Sequence, residues 1–237
     1  VNNDTGLVEA IVGGRSQETS TYTLNRAFQS FRQPGSSIKP LIVYAPALEE
    51  GYASFSSVKD INVDAAKEPK ADVASLPGNW ITLRQAVEKS RNGAAWWLFN
   101  EVTPEEGLSY LTQMQFDKIV PDDYNMAASL GGFTYGVTAE EMAGAFSALE
   151  NGGVYREPDC IVRMENLAGE DIYTGREPKE VYSQQTAAVM VDVMKGVISR
   201  GTARGMGWKS GIEAAGKTGT TNNSKDGWFC GMTPYYT

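Results

Sequence analysis

The chain has 237 residues, 41% hydrophobic and 21% charged, which is ordinary globular material long enough to bury a core in one domain, with or without a packed sub-domain. Its net charge of −8 argues against a nucleic-acid partner, which needs clustered Lys and Arg, and no apolar run reaches the roughly 18 residues of a membrane span. Histidine is absent, which removes Ser-His-Asp and Cys-His catalysis and every His-ligated metal site. Val1 is not an initiator methionine and no signal peptide follows it, so the chain is expected to be a piece of something longer. Cys160 and Cys230 are far apart, have no metal spacing, and read as free buried thiols.

In chain order, residues 6–14 form a short apolar run closed by glycines and predict a strand of a central sheet, with a weaker strand at 22–24. Ser36 and Lys39 stand where Leu41, Tyr44, Ala45 and Leu48 begin a helical period. A helix is therefore expected from Ser36, kinked at Pro46 and ended by Gly51. Residues 51–80 carry no sustained period and are expected to be irregular. Residues 82–149 predict helices, with Thr103-Pro104 and Thr138 through Glu141 as N-terminal caps and Asn151-Gly152-Gly153 as a stop. A β-ribbon is expected over 154–173, turning at 166–169, then a helix from Ser183 to Gly201. Strands at 212–220 and 228–232, joined by a polar turn at 222–225, close the chain. The fold class is α/β of the α+β type: an antiparallel central sheet in which both chain ends meet, flanked by helices, with a mainly helical middle.

Three short patterns carry candidate chemistry. Ser36-x-x-Lys39 places a hydroxyl and an amine on one helix face near the positive end of the helix dipole, an activated nucleophile that needs no histidine. Read alone it fits a helix cap and a surface lysine equally well. Ser56-Ser57-Val58-Lys59 repeats the spacing without a following helix and reads as a solvated loop. Ser90-Arg91-Asn92 taken singly is a capping turn. Lys217-Thr218-Gly219-Thr220 is a strand end with an anion-binding composition. Their occurrence in this order is the informative observation, because Ser-x-x-Lys, Ser-x-Asn and Lys-Thr-Gly together are the set found in penicillin-binding proteins and class A β-lactamases.

The likeness covers nearly the whole chain. Asn25-Arg-Ala-Phe28, Arg32 through Pro40, Tyr135 through Ala143, Asn151 through Tyr155, Gly201-Thr-Ala, Gly216 through Thr221 and Trp228 through Pro234 resemble the transpeptidase domain of class A, bifunctional penicillin-binding proteins. That resemblance implies a serine D,D-transpeptidase that cross-links peptidoglycan stem peptides, with no cofactor or metal. It implies Ser36 as nucleophile and Lys39 as its base. Ser90 would bridge Lys39 and Lys217 and carry the proton to the leaving amine. Asn92 would hold the substrate amide, Lys217, Thr218, Gly219 and Thr220 would bind its terminal carboxylate, and the Ser36 and Thr220 N–H groups would form the oxyanion hole. Implied partners are a D-Ala-D-Ala donor peptide, an amine acceptor, β-lactams that trap Ser36, and a glycosyltransferase domain preceding Val1. The implied place is the extracytoplasmic face of a bacterial plasma membrane. Residues 1–237 would form one such domain lacking its last strand and helix, so the sheet is expected to show a gap or altered pairing. A D,D-carboxypeptidase and a non-enzymatic β-lactam sensor remain alternatives. A β-lactamase fits less well, because Glu157 and Glu165 lie in the ribbon without a deacylation loop.

Overall fold

The computed structural model describes residues 1–15, 23–68, 71–173, 175–208, 211–221 and 225–237. A single turn, α1 (Arg26–Gln29), precedes the central segment and is capped by the Asn25 side chain. That segment is not one kinked helix. Gly35–Ile38 is a 3₁₀ turn, Pro40–Tyr44 a π-helical turn, and Ala45–Glu49 the short α2. Pro46 is the cause: its ring clashes with the carbonyl four residues back and it has no N–H to donate. The turn widens instead, so the Ala45 N–H reaches the Pro40 carbonyl and the Leu41 carbonyl accepts the Tyr182 hydroxyl at 2.8 Å. Ile38, Leu41, Ile42, Val43 and Tyr44 are all fully buried, so this segment is wrapped on every side.

Residues 51–80 are more ordered than expected. β1 (Ser57–Ile61) pairs antiparallel with β2 (Gly78–Thr82), from Ser57 opposite Thr82 to Ile61 opposite Gly78. Between them lies α3 (Val63–Ala66), capped by Asn62, whose Oδ1 accepts the Asp64 N–H at 2.9 Å. Ile61, Ala66 and Val73 pack with Trp96 as a small second core, too few apolar residues to leave a periodic signal. The repeated Ser-x-x-Lys pattern is thus largely strand, not loop: Ser56 Oγ accepts the Ala53 N–H and Lys59 Nζ donates to the Ala74 carbonyl.

The helical middle consists of α4 (Leu83–Glu88), α5 (Asn92–Val102), α6 (Pro104–Gln113) and α7 (Ala139–Glu150). Thr82 and Thr138 close capping boxes with Gln85 and Glu141, while Thr103 Oγ1 accepts the Glu106 N–H. β1 lies against the start of α5. A Cβ on Gly93 would overlap the Ile61 carbonyl oxygen and stand 2.6 Å from Asp60 Oδ1. Gly93→Ala is therefore expected to lower stability by about 1–3 kcal/mol, read as a fall in melting temperature; an unchanged melt would show that β1 can move away freely.

The expected ribbon is mostly irregular. β3 (Val154–Tyr155) pairs with β4 (Lys179–Glu180), and a tight turn at 166–169 is closed by the Gly169 N–H on the Asn166 carbonyl. α8 (Gln184–Ser199) follows, its first turn held by Ser183. β5 (Ala215–Thr220) and β6 (Gly227–Met232) form an antiparallel hairpin. Among the described residues this hairpin is a two-stranded sheet, so the expected central sheet is reduced to it. Residues 6–14 form no strand: Leu7 bridges Asp159, and Glu9 to Val12 stand exposed. Of the weaker expected strand and the polar turn, Tyr22 and residues 222–224 lie outside the described residues, and 23–24 are not strand. The ends do meet, through a bridge of Asn2 with Tyr236 and the Val1 and Thr237 backbones paired at 2.7 and 2.9 Å. Cys160 is exposed, against expectation, and Cys230 is buried. No helix among the described residues is long and apolar enough to cross a membrane.

Candidate active site

Ser36 sits half-buried on the 3₁₀ turn, and its hydroxyl has no hydrogen-bond partner among the described residues. Its neighbours bring backbone close around it. Gly35 has φ +53°, and a Cβ there would stand 2.7 Å from the Thr220 carbonyl oxygen. Only glycine takes that conformation and that approach together without strain. On β5, a Cβ at Gly219 would overlap the Pro34 carbonyl oxygen and stand 2.9 Å from Ser37 Oγ. The two glycines let the end of β5 lie directly on the serine turn.

Lys39 is fully buried one turn on. Its Nζ donates to Asn92 Oδ1 at 2.7 Å, the Ser90 carbonyl at 3.1 Å and the Arg91 carbonyl at 3.4 Å. Burial, and next the charge of Lys217, hold its amine well below the ordinary lysine range. The three oxygens act the other way by favouring the ammonium. A neutral amine keeps two donors and a lone pair, so giving up the longest contact frees a basic site.

Ser90 is held at an unusual angle. Its φ is +53°, the left-handed region that glycine normally fills. It ends α4 in a Schellman turn: the Ser90 N–H reaches the Val87 carbonyl at 3.1 Å and the Arg91 N–H the Ala86 carbonyl at 2.9 Å. A side chain in that position costs about 1 kcal/mol or more, and here it carries a hydroxyl into the site. The Ser90 hydroxyl accepts from Lys217 Nζ at 2.8 Å while its carbonyl accepts from Lys39. Ser90 thus touches both lysines, Lys217 through its hydroxyl and Lys39 through its backbone carbonyl. Asn92 is exposed and spends only its Oδ1 on Lys39, so its amide N–H₂ has no partner among the described residues.

Lys217 is fully buried too, pinned between Ser90 Oγ and the Thr218 carbonyl, the latter at 2.9 Å. Burial brings its amine down to about 7. Its ammonium thus stands inside the protein rather than in solvent, behind the strand end whose composition suggests an anion site. Thr218 is half-buried and Thr220 exposed, and these hydroxyls face outward from the same strand. A cleft of about 500 Å³ opens at Gly35 and Thr220, lined also by Gln33, Trp96, Leu130 and Gly131; it reaches the residue before Ser36 in the chain and the end of β5, while Ser36 itself does not line it. Among the described residues no His, Cys, Asp and Glu cluster could hold a metal ion.

A family model described as the penicillin binding protein transpeptidase domain matches residues 1–237. The chain belongs to that family. Over its whole length it is 37% identical to penicillin-binding protein 1F of Bacillus subtilis (strain 168), of which it covers 33%. It is 34% identical to penicillin-binding protein 4 of the same organism and covers 38% of it. Penicillin-binding protein 1A from Haemophilus influenzae superposes with a TM-score of 0.76 at 28% identity, over 98% of this chain and 40% of that one. The chain thus spans about a third or less of the length of most of the curated relatives it matches, and its fold is that of the penicillin-binding transpeptidase domains.

Within this transpeptidase domain, one group with a plain structural duty escaped the sequence reading. Asp60, on the strand taken for a loop, ion-pairs with Arg91 at 2.5 Å and accepts the Ala94 N–H at 3.2 Å. It supplies the N-terminal cap that α5 lacks and so fixes the Ser90 to Asn92 turn. Gly93 directly after Asn92 was the available signal, since an unobstructed backbone there lets β1 dock.

Proposed function

We propose that the domain is a serine D,D-transpeptidase that β-lactams acylate at Ser36. The observation that carries the reading is the convergence of Lys39 and Lys217, both fully buried, on Ser90 beside a Ser36 hydroxyl with no described partner, in a chain with no histidine. In the cycle, neutral Lys39 takes the Ser36 proton as Oγ attacks the carbonyl between the two terminal D-alanines of a donor stem peptide. The oxyanion forms against the N–H groups of Ser36 and Thr220, where one such donor is worth about 2.7–4 kcal/mol of barrier. The Ser90 hydroxyl passes the proton to the leaving D-alanine amine, and an acceptor amine then takes the acyl group. Asn92 offers its free amide N–H₂ to the donor backbone, and Thr218 and Thr220 receive the terminal carboxylate under the field of Lys217. No metal or cofactor enters these steps.

The donor and acceptor stem peptides are the proposed substrates, and the domain acts on the extracytoplasmic side of a bacterial membrane as part of a longer protein with a glycosyltransferase domain. Glu157 and Glu165, the carboxylates weighed for a β-lactamase, are engaged by Arg176 and Arg163. The test is labelling with a fluorescent penicillin. Ser36→Ala should abolish the covalent label and Ser56→Ala should leave it at the parent level. A long-lived ester with D-amino-acid exchange supports transpeptidation. Label retained in the Ser36 variant overturns the assignment; rapid D-alanine release with no exchange assigns a carboxypeptidase instead.

A further inference from the structure

We infer that Thr202, which lies in none of the three patterns, is a positioning residue that orients the Thr218 hydroxyl toward the carboxylate of the donor peptide or β-lactam. The inference rests on the proposed acyl transfer at Ser36. The two threonine hydroxyls share a hydrogen bond of 2.6 Å. A hydroxyl has one hydrogen to give. With Thr202 as the donor in the bond they share, Thr218 keeps its own hydrogen for an incoming carboxylate; with Thr218 as the donor that hydrogen is spent on Thr202.

Thr202 is exposed, yet its backbone is anchored. Its N–H donates to the Glu88 carbonyl at 3.1 Å, and the Ala203 N–H to the Val197 carbonyl at 3.0 Å. Just before it, Arg200 grips the buried Glu88 carboxylate with Nε at 2.9 Å and Nη2 at 2.5 Å, and Lys89 Nζ caps the Arg200 carbonyl at 2.7 Å. Room for Glu88 comes from Gly196 on α8, where a Cβ would overlap Glu88 Oε1. A two-point charged hydrogen bond of this kind sets geometry as well as attraction. Glu88 is the last residue of α4, two before Ser90, so the same anchor that registers Thr202 on β5 also carries the Ser90 turn. Thr202 therefore acts on anion recognition, through Thr218, and leaves the Ser36–Lys39 chemistry alone.

Acylation of the full chain by benzylpenicillin and by its methyl ester, resolved into half-saturating concentration and limiting rate, tests this. Thr202→Val should raise the half-saturating concentration for benzylpenicillin about tenfold with the limiting rate within about twofold, and Thr202→Ser should restore it. The methyl ester, lacking the carboxylate, should show no difference between parent and variant. Equal losses for acid and ester, no loss for either, or a loss confined to the limiting rate would overturn the inference while the Ser36 reading stands. A parent chain whose label maps by mass spectrometry to a residue other than Ser36 overturns both.

Discussion

Lys39→Arg is expected to slow acylation of Ser36 by at least about 100-fold while preserving the positive charge, because guanidinium does not lose its proton in proteins. The amine it replaces is poised differently: burial and Lys217 hold it well below the ordinary value of 10.5. Base catalysis needs the neutral form, so at saturating penicillin the parent rate should climb with pH through a midpoint below that value and then level off. Half-saturation should move the other way, worsening above about 7 as Lys217 loses its charge. The two lysines influence each other, so the steps belong to the pair. Stopped-flow acylation between about pH 6 and 10 separates the two trends. Lys39→Met, which removes charge and base together, controls for packing and should also fail to acylate. An arginine variant that acylates at the parent rate removes Lys39 from the base role.

Lys217→Met is expected to melt higher than the parent at pH 6 and to lose β-lactam binding. Below about 7 the folded parent carries a buried ammonium satisfied by Ser90 Oγ and the Thr218 carbonyl, with no carboxylate in ion-pair contact among the described residues. That arrangement costs several kcal/mol, and an apolar side chain of similar size relieves it. The pH dependence follows from linkage. Below about 7 both folded and unfolded states hold the proton, so this group gives no slope. Between about 7 and 10.5 only the unfolded state holds it, so stability rises with pH and then levels off. Cys230 opposes this at higher pH: burial raises its thiol from 9.0 to about 12, so the unfolded state sheds that proton first and stability falls across that range. Cys230 thus leaves about 7 to 9 as the window for Lys217, over which Lys39, also held low by burial, adds a rise of the same sign in the parent. Chemical denaturation at several pH values should give the parent a steeper rise there than Lys217→Met; parallel curves, or a variant that melts lower at pH 6, would remove the burial cost from the account.

The order of the three patterns and the lack of histidine were legible from the chain, as were the caps at Thr103, Thr138 and Ser183, because each depends on residues within four positions. Such short-range interactions are written in consecutive side chains. The β1–β2 pair was not legible, since its apolar face amounts to a few residues whose partner, Trp96, lies on a distant helix. Residues 6–14 erred in the opposite direction: an apolar run satisfied strand preference, but a strand needs a continuous neighbour for its backbone groups, and among the described residues the segment makes a single bridge, Leu7 to Asp159, with isolated hydrogen bonds elsewhere.

Composition by itself excluded histidine chemistry and local spacing offered Ser36 as a candidate nucleophile, while the ordered patterns carried the family resemblance that implied its role. Tertiary structure alone decided that Pro46 opens a π turn answered by Tyr182, that Ser90 stands in a left-handed turn offering its hydroxyl to one lysine and its carbonyl to the other, and that Lys217 is buried. The physical reason is range. A hydrogen bond or amine pKa is set by what lies within a few ångströms, and around Ser36 and Lys39 those neighbours come from the Ser90 turn and from β5, both far along the chain.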